Sequence, residues 1–153
     1  MPAKLFLSYA AADRDLCERL WDDLEAATRT DATYDFTLWS MDDNLLAGDD
    51  WDEEIRAALD GSAVGIFAVS HAMLNSGYIR RVELKHFLDA GKLLVPVLLT
   101  QVNAYADLQG LKPKQVFGWG GSYEALGSRA TKRNWATALA EELHRVLDER
   151  SGR

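Results

Sequence analysis

The stretch Ala63-Val-Gly-Ile-Phe-Ala-Val-Ser-His-Ala-Met-Leu-Asn-Ser-Gly-Tyr-Ile-Arg-Arg-Val-Glu-Leu-Lys-His-Phe-Leu88 decides the fold. Its opening, Ala63 to Val69, is continuous in apolar character, as a strand covered on both faces should be. A polar loop from Ser70 follows, and then a helix. On a helix turning about 100° per residue, Glu83 points the same way as Ile79, Val82, Phe87 and Ala90, while Arg81 and Lys85 fall opposite. A carboxylate buried without partners is costly, or keeps its proton through a raised pKa. Glu83 sits on the inner face near a helix start, just past a strand's carboxyl end. It is placed to line a cleft.

Outward from this unit the chain alternates between strand and helix patterns. Lys4 to Tyr9 reads as a first strand, broken by Ala10-Ala-Ala-Asp13, with Asp13 as cap of a helix carrying Leu16, Leu20 and Leu24 beside Cys17 and Trp21. The acidic face of that helix (Glu18, Asp22, Asp23, Glu25) reads as solvated. Tyr34 to Trp39 is the second strand, and Ser40 to Asp50 a long acidic loop. Asp50 and Glu53 resemble a capping box for a helix burying Trp51, Ile55, Ala58 and Leu59 and ended by Gly61. Past Gly91, Leu93 to Leu99 is a fourth strand, whose Pro96 belongs at a sheet edge or bulge. A short helix is expected around Ala104 to Leu108, a small fifth strand at Val116-Phe117, and a turn at Gly118-Trp-Gly-Gly121 that exposes Trp119. Asn134 is read as the cap of a last helix with Trp135, Leu139, Leu143, Val146 and Leu147 inward. Residues 1–150 form one domain in this reading, and 151–153 a frayed tail.

Such alternation predicts an α/β fold, a flavodoxin-like doubly wound parallel sheet of five strands in order 2-1-3-4-5 with helices on both faces. Ligands of these sheets bind beyond the carboxyl ends of the strands, at the switch point between strands 1 and 3. Here that point is flanked by Ser8 to Asp13 and by Ser70 to Tyr78, with Glu83 about a turn and a half into the departing helix.

Bulk properties narrow the function classes. The 153 residues, 48% hydrophobic and 27% charged, fit one soluble domain. A net charge of −7 argues against a broad surface for nucleic acid or anionic membrane. No apolar run approaches a membrane span and no signal peptide is visible, so a cytoplasmic protein is expected. The single Cys17 offers no intrachain disulfide and reads as a small buried hydrophobe. His71, His86 and His144 have no metal-site spacing, so no metal is expected. His71 lies in the crevice loop, and His86 shares the inner face with Glu83. Dinucleotide-binding glycines, a P-loop, a zinc-protease motif and a nucleophile elbow are all missing. A phosphorylated receiver domain fails too, because the third strand ends in Ser70 rather than Asp.

The residues do resemble a known family. Leu5-Phe-Leu-Ser-Tyr9 with Asp13 is similar to the first box of Toll/interleukin-1 receptor (TIR) domains. Leu38-Trp39, then Asp42-Asp43-Asn-Leu45-Leu-Ala-Gly48 leading into Trp51, resembles their second strand and BB loop. Ala63 to Ser70 looks like the third strand. Ser76-Gly-Tyr78 followed by Glu83-Leu84 resembles the helix that carries the catalytic glutamate of bacterial, NAD-cleaving members. The chain departs from the pattern in three places. Tyr78 precedes Glu83 by five residues where many members have an aromatic at four, Ala47 replaces the common BB-loop proline, and Ala10 replaces a basic residue.

The resemblance implies an NAD+ nucleosidase, a glycohydrolase or cyclase that cleaves the nicotinamide–ribose bond to give nicotinamide with ADP-ribose or a cyclic isomer. It implies NAD+ as substrate rather than cofactor, and Glu83 as the catalytic residue. Ser8, Tyr9, Ala10, Asp43, Gly48, Ser70 and Tyr78 are the implied substrate-binding positions, with Trp39 and Trp51, whose flat rings serve a site or a core equally well. It also implies bacterial anti-phage immunity, and self-association through the BB loop, Asp42 to Asp50, into an oligomer or filament. A sensor protein, or a C-terminal domain outside this chain, would supply the trigger. The rival is a non-enzymatic TIR–TIR interaction module, a signalling adaptor or a mimic of host TIR proteins. Glu83 separates the two, since a scaffold has no need of a carboxylate there.

Overall fold

The structure, a computed structural model, describes residues 1–40 and 51–152, with residues 51 and 52 as backbone alone. In chain order come β1 (Pro2–Ser8), a 3-10 turn (Ala11–Asp13), α1 (Arg14–Thr28), β2 (Asp35–Ser40), α2 (Trp51–Gly61) and β3 (Val64–Val69). A short α3 (His71–Leu74) follows, then a helical run over residues 77–89. That run comprises a π-helical section (Ile79–Leu84) and α4 (Lys85–Asp89). β4 (Leu93–Leu98), a 3-10 turn (Pro113–Gln115) and the long α5 (Arg129–Ser151) complete the chain.

The described strands form one four-stranded parallel sheet in order β2-β1-β3-β4. These are the first four places of the expected order, but the fifth strand is not there. Val116-Phe117 reduces to a single bridge, Phe117 N–H donating to the Pro96 carbonyl and Leu98 N–H to the Phe117 carbonyl, each at 2.8 Å. The 3-10 turn before it and Gly118 after it, at φ 79°, leave no length for a ladder. Pro96 sits on this outer edge, where its missing N–H breaks nothing.

Alternation along the strands divides the core into two layers. Leu5 and Leu7 of β1 face α1 and α5, while Phe6 faces α2, α3 and the 77–89 run. All six residues of β3 are buried. Gly65 is required there, because a Cβ would lie 2.8 Å from the Phe87 ring that packs over it. Lys92, just before β4, donates from Nζ to the carbonyls of Leu59 (2.7 Å), Asp60 (2.6 Å) and Ser62 (3.2 Å). One ammonium thus satisfies the free carbonyls at the end of α2 and fixes that helix against the sheet.

Several local expectations are corrected. Asp13 makes no capping hydrogen bond to α1, because its carboxylate accepts from Ser70 instead. Asn134 lies inside α5, which starts earlier on a reciprocal cap between Ser128 and Thr131. Residues 104–108 form a turn at 104–105 and irregular chain rather than a helix. Asp23 is buried rather than solvated, held by both terminal guanidinium nitrogens of Arg129. Among the described residues no helix is long and apolar enough to cross a membrane.

Candidate functional site

At the carboxyl ends of β1 and β3 the chain departs in opposite directions. From β1 it runs to α1 on one face, and from β3 to α3 on the other. The gap between two such departures is the natural crevice of a doubly wound sheet. Ser8 ends β1 and Ser70 follows β3, and both are buried. Ser70 accepts from Met73 N–H at 3.0 Å, so it caps α3, and its hydroxyl donates to Asp13 across the crevice. Ser8 is different. Among the described residues its Oγ completes no hydrogen bond, although it is enclosed.

Glu83 reaches this crevice from the π-helical section. It is 9% exposed and shares the inner side with Ile79, Leu84 and Phe87, all buried. Val82 is half-buried, and Ala90, expected inside, is exposed. Burial pushes the Glu83 carboxyl up to about 7, against the opposing pull of the nearby Ser8 hydroxyl. The two groups are close enough to feel one another without completing a hydrogen bond. A carboxylic acid whose pKa is set by burial and lies near neutrality is suited to proton transfer at pH 7.

The space beside Glu83 is bounded by Phe6, Leu7, Tyr9, Ala11, Trp39 and Ile55. At about 50 Å³ it holds a water or two, against roughly 300–1,000 Å³ for ordinary ligand pockets. Phe6, Leu7, Ala11 and Ile55 were not expected at the site, Ile55 being read from the sequence as core alone. Phe6 was legible in principle, two residues before Ser8 on the same side of β1. Ile55 was not, because only the docking of α2 brings it there.

The other sequence-derived positions divide. Trp39 lines the space but also stacks on Phe6, ring centroids 5.2 Å apart and planes at 19°, so one ring serves site and core. Tyr9 lines the space and leans on Trp21 at 6.4 Å. Ala10 is buried in the neighbouring core and its carbonyl accepts from Asp13 N–H at 2.9 Å. Tyr78 packs against the same core without bounding the space. Asp43, Gly48 and the rest of Asp42 to Asp50, with the side chain of Trp51, lie outside the described residues, as does the proposed cap of α2. His71 is occupied, its Nε2 accepting from Asn103 N–H at 2.9 Å. His86 turns away from Glu83 toward Asp60, with Nε2 to Oδ1 at 3.5 Å.

Two alternatives to a carboxylate site find no support among the described residues. Cys17 is fully buried, and burial, with a smaller contribution from Asp13, raises its thiol pKa, which is wrong for a nucleophile. Among the described residues no group of three or more His, Cys, Asp and Glu is placed to hold a metal ion. Compared with known families, residues 5–130 match the sequence model described as TIR domain. That span contains β2, β3, β4 and the second half of β1, with every side chain that bounds the space beside Glu83. No curated protein matches the chain.

Proposed function

The chain belongs to the TIR domain family, and from that premise we propose that it is an NAD+ nucleosidase with Glu83 as its catalytic carboxylate. The observation that carries this reading is a buried carboxyl group titrating near neutrality, on the wall of the crevice between β1 and β3. Family membership alone covers enzymes and signalling modules alike, so the reading rests on this residue.

The chemistry asks for one preorganised anion. The bond from ribose C1′ to the nicotinamide nitrogen breaks, and its electron pair leaves with nicotinamide, which becomes neutral. Positive charge develops over C1′ and the ring oxygen, as at a glycosidase centre. The Glu83 carboxylate stabilises that charge and orients the ribose hydroxyls in a site poor in water. An attacking water completes the bond at C1′ and passes its proton to Glu83, giving ADP-ribose. Where a nitrogen of the adenine attacks instead, the product is a cyclic isomer. The Ser8 hydroxyl, enclosed beside Glu83, can donate to a ribose or phosphate oxygen once the site opens, and Tyr9 and Trp39 supply ring faces.

The small volume beside Glu83 means that a dinucleotide enters only after its surroundings move. This supports activation by self-assembly, in which the segment joining β2 to α2 of one protomer completes the site of another. A role in anti-phage immunity, with a separate sensor as trigger, follows from the same reading. The small volume also favours the second reading, a TIR–TIR interaction module without activity.

The deciding experiment incubates concentrated or crowded protein with NAD+ and resolves the products by chromatography, beside Glu83→Ala. Nicotinamide release by the wild type and none by the variant is expected. No release under assembling conditions, or equal release by both proteins, sinks the enzyme reading and leaves the interaction module.

A further inference from the structure

Residues 77–89 are one helical run with a π-helical section, Ile79–Leu84, ahead of the α-helical Lys85–Asp89. A π-turn accommodates one residue more than an α-helix would, and its hydrogen bonds span five residues instead of four. The inner side of the run shows the consequence. Glu83, Leu84 and Phe87 are buried at spacings that suit an α-helix. Continued backwards as an α-helix, the same face would next reach residue 80, three before Glu83 and four before Leu84.

Residue 80 is Arg80, and it is exposed. The inward positions are taken by Ile79, 4% exposed, and the half-buried Tyr78. Ile79 also stands four before Glu83 and would face inward in either register; Tyr78 with Glu83, and Ile79 with Leu84, are each five apart, the π spacing, and the exposed Arg80 with the half-buried Tyr78 separates the two registers. A regular α-helix would have driven the Arg80 guanidinium into an apolar layer beside Glu83, at the cost of burying a charge. Such a pair would also neutralise the acid. The extra residue removes both problems: it turns Arg80 outward, on the exposed side where Arg81 lies in either register, and keeps its guanidinium from Glu83.

We propose that the π-turn is a positioning device for Glu83, and that Arg80 is the extra residue it accommodates. The inference rests on the reading of Glu83 as the reacting group, but its register claim stands on the burial pattern alone. It accounts for the spacing of five between Tyr78 and Glu83, because a π-turn brings residues five apart onto one face.

Deleting Arg80 tests it. A residue cut from an ordinary α-helix rotates everything beyond it by about 100°. Cut from this turn, it should leave an α-helix in which Tyr78, Ile79, Glu83 and Leu84 keep their common face. The expected result is a folded protein whose Glu83 carboxyl, followed by carbon-detected NMR, still titrates near neutrality. Its NAD+ cleavage stays within about tenfold of wild type, whereas displacing the acid by an ångström would cost on the order of a hundredfold. Deletion of Lys85, in the α-helical section, should lower the melting temperature more and return Glu83 to the ordinary carboxylate range. Unfolding of the Arg80 deletion, an ordinary Glu83 titration in it, or equal damage from both deletions overturns the proposal. If the wild type does not cleave NAD+, the titration arm still decides the register, and only the enzyme reading falls.

Discussion

Two carboxylates are buried to nearly the same depth and treated in opposite ways. Asp23 on α1 is 8% exposed and Glu83 on the π-turn 9%. Asp23 accepts from both terminal nitrogens of Arg129, and the Tyr123 hydroxyl approaches it at 3.5 Å. Glu83 has burial pushing it toward the neutral acid and one hydroxyl pulling weakly the other way. Asp23 joins α1 to the start of α5, far in sequence and adjacent in space. Burial alone therefore does not mark a functional acid. An acid left without its counter-charge is the better candidate.

That contrast predicts a double dissociation, and its largest effect concerns Glu83. Glu83→Gln keeps the shape of the side chain and removes the anion. NAD+ cleavage should fall by about 10³-fold, in line with the loss of a preorganised electrostatic group, while the melting temperature does not fall. Chromatographic product assays and thermal denaturation on the same samples check both halves.

Arg129→Met should do the reverse. It leaves Asp23 buried and unpaired, the costly way to break such a pair, and should lower the melting temperature by about 10 °C. Activity per folded molecule stays unchanged. Asp23→Ala should be milder, because the guanidinium it releases is already 55% exposed. A larger loss from Asp23→Ala than from Arg129→Met would break the comparison.

The pH dependence gives a third separation. The folded Glu83 pKa lies above its ordinary value, so between the two the folded protein holds a proton that the unfolded chain has released. Stability attributable to Glu83 is therefore intact below about 4.5, declines as pH rises, and is fully lost above about 7. That interval corresponds to about 3 kcal/mol. Glu83→Gln should accordingly be the more stable protein at pH 8, with the advantage shrinking toward pH 5 in urea titrations. NAD+ cleavage by the wild type should rise with pH through about 7, as the anion forms.

What could be read from the sequence depended on the reach of each signal. The apolar runs of β1 and β3 and the helical crossovers between successive strands imposed a parallel sheet, and its first four places follow the expected order. The crevice follows from that order, and with it the neighbourhood of Ser8, Ser70 and Glu83. Asp23 was misjudged because its partner is 106 residues away, and a helical wheel knows nothing of another helix. The π-turn was invisible to a wheel with a fixed 100° step, although the five-residue interval from Tyr78 to Glu83 was its trace. Val116-Phe117 had strand-like residues but no room between two turns to form a ladder.

The smallest predicted effect isolates the one group that favours the Glu83 anion. Ser8→Ala removes a hydroxyl that is enclosed, free among the described residues, and beside the carboxyl. Its interaction with the anion falls short of a full hydrogen bond, so its loss should raise the Glu83 pKa by less than about one unit. The pH–rate profile would move up by the same amount, and the folded protein would be otherwise little changed. If Ser8 instead donates to bound NAD+, Ser8→Ala raises KM as well, and the two roles separate in one experiment. A pH shift without a KM change assigns the hydroxyl to the acid, and a KM change without a pH shift assigns it to the substrate. Neither effect would mean that the hydroxyl only fills space, and Glu83 would then owe its ionisation entirely to the pocket around it.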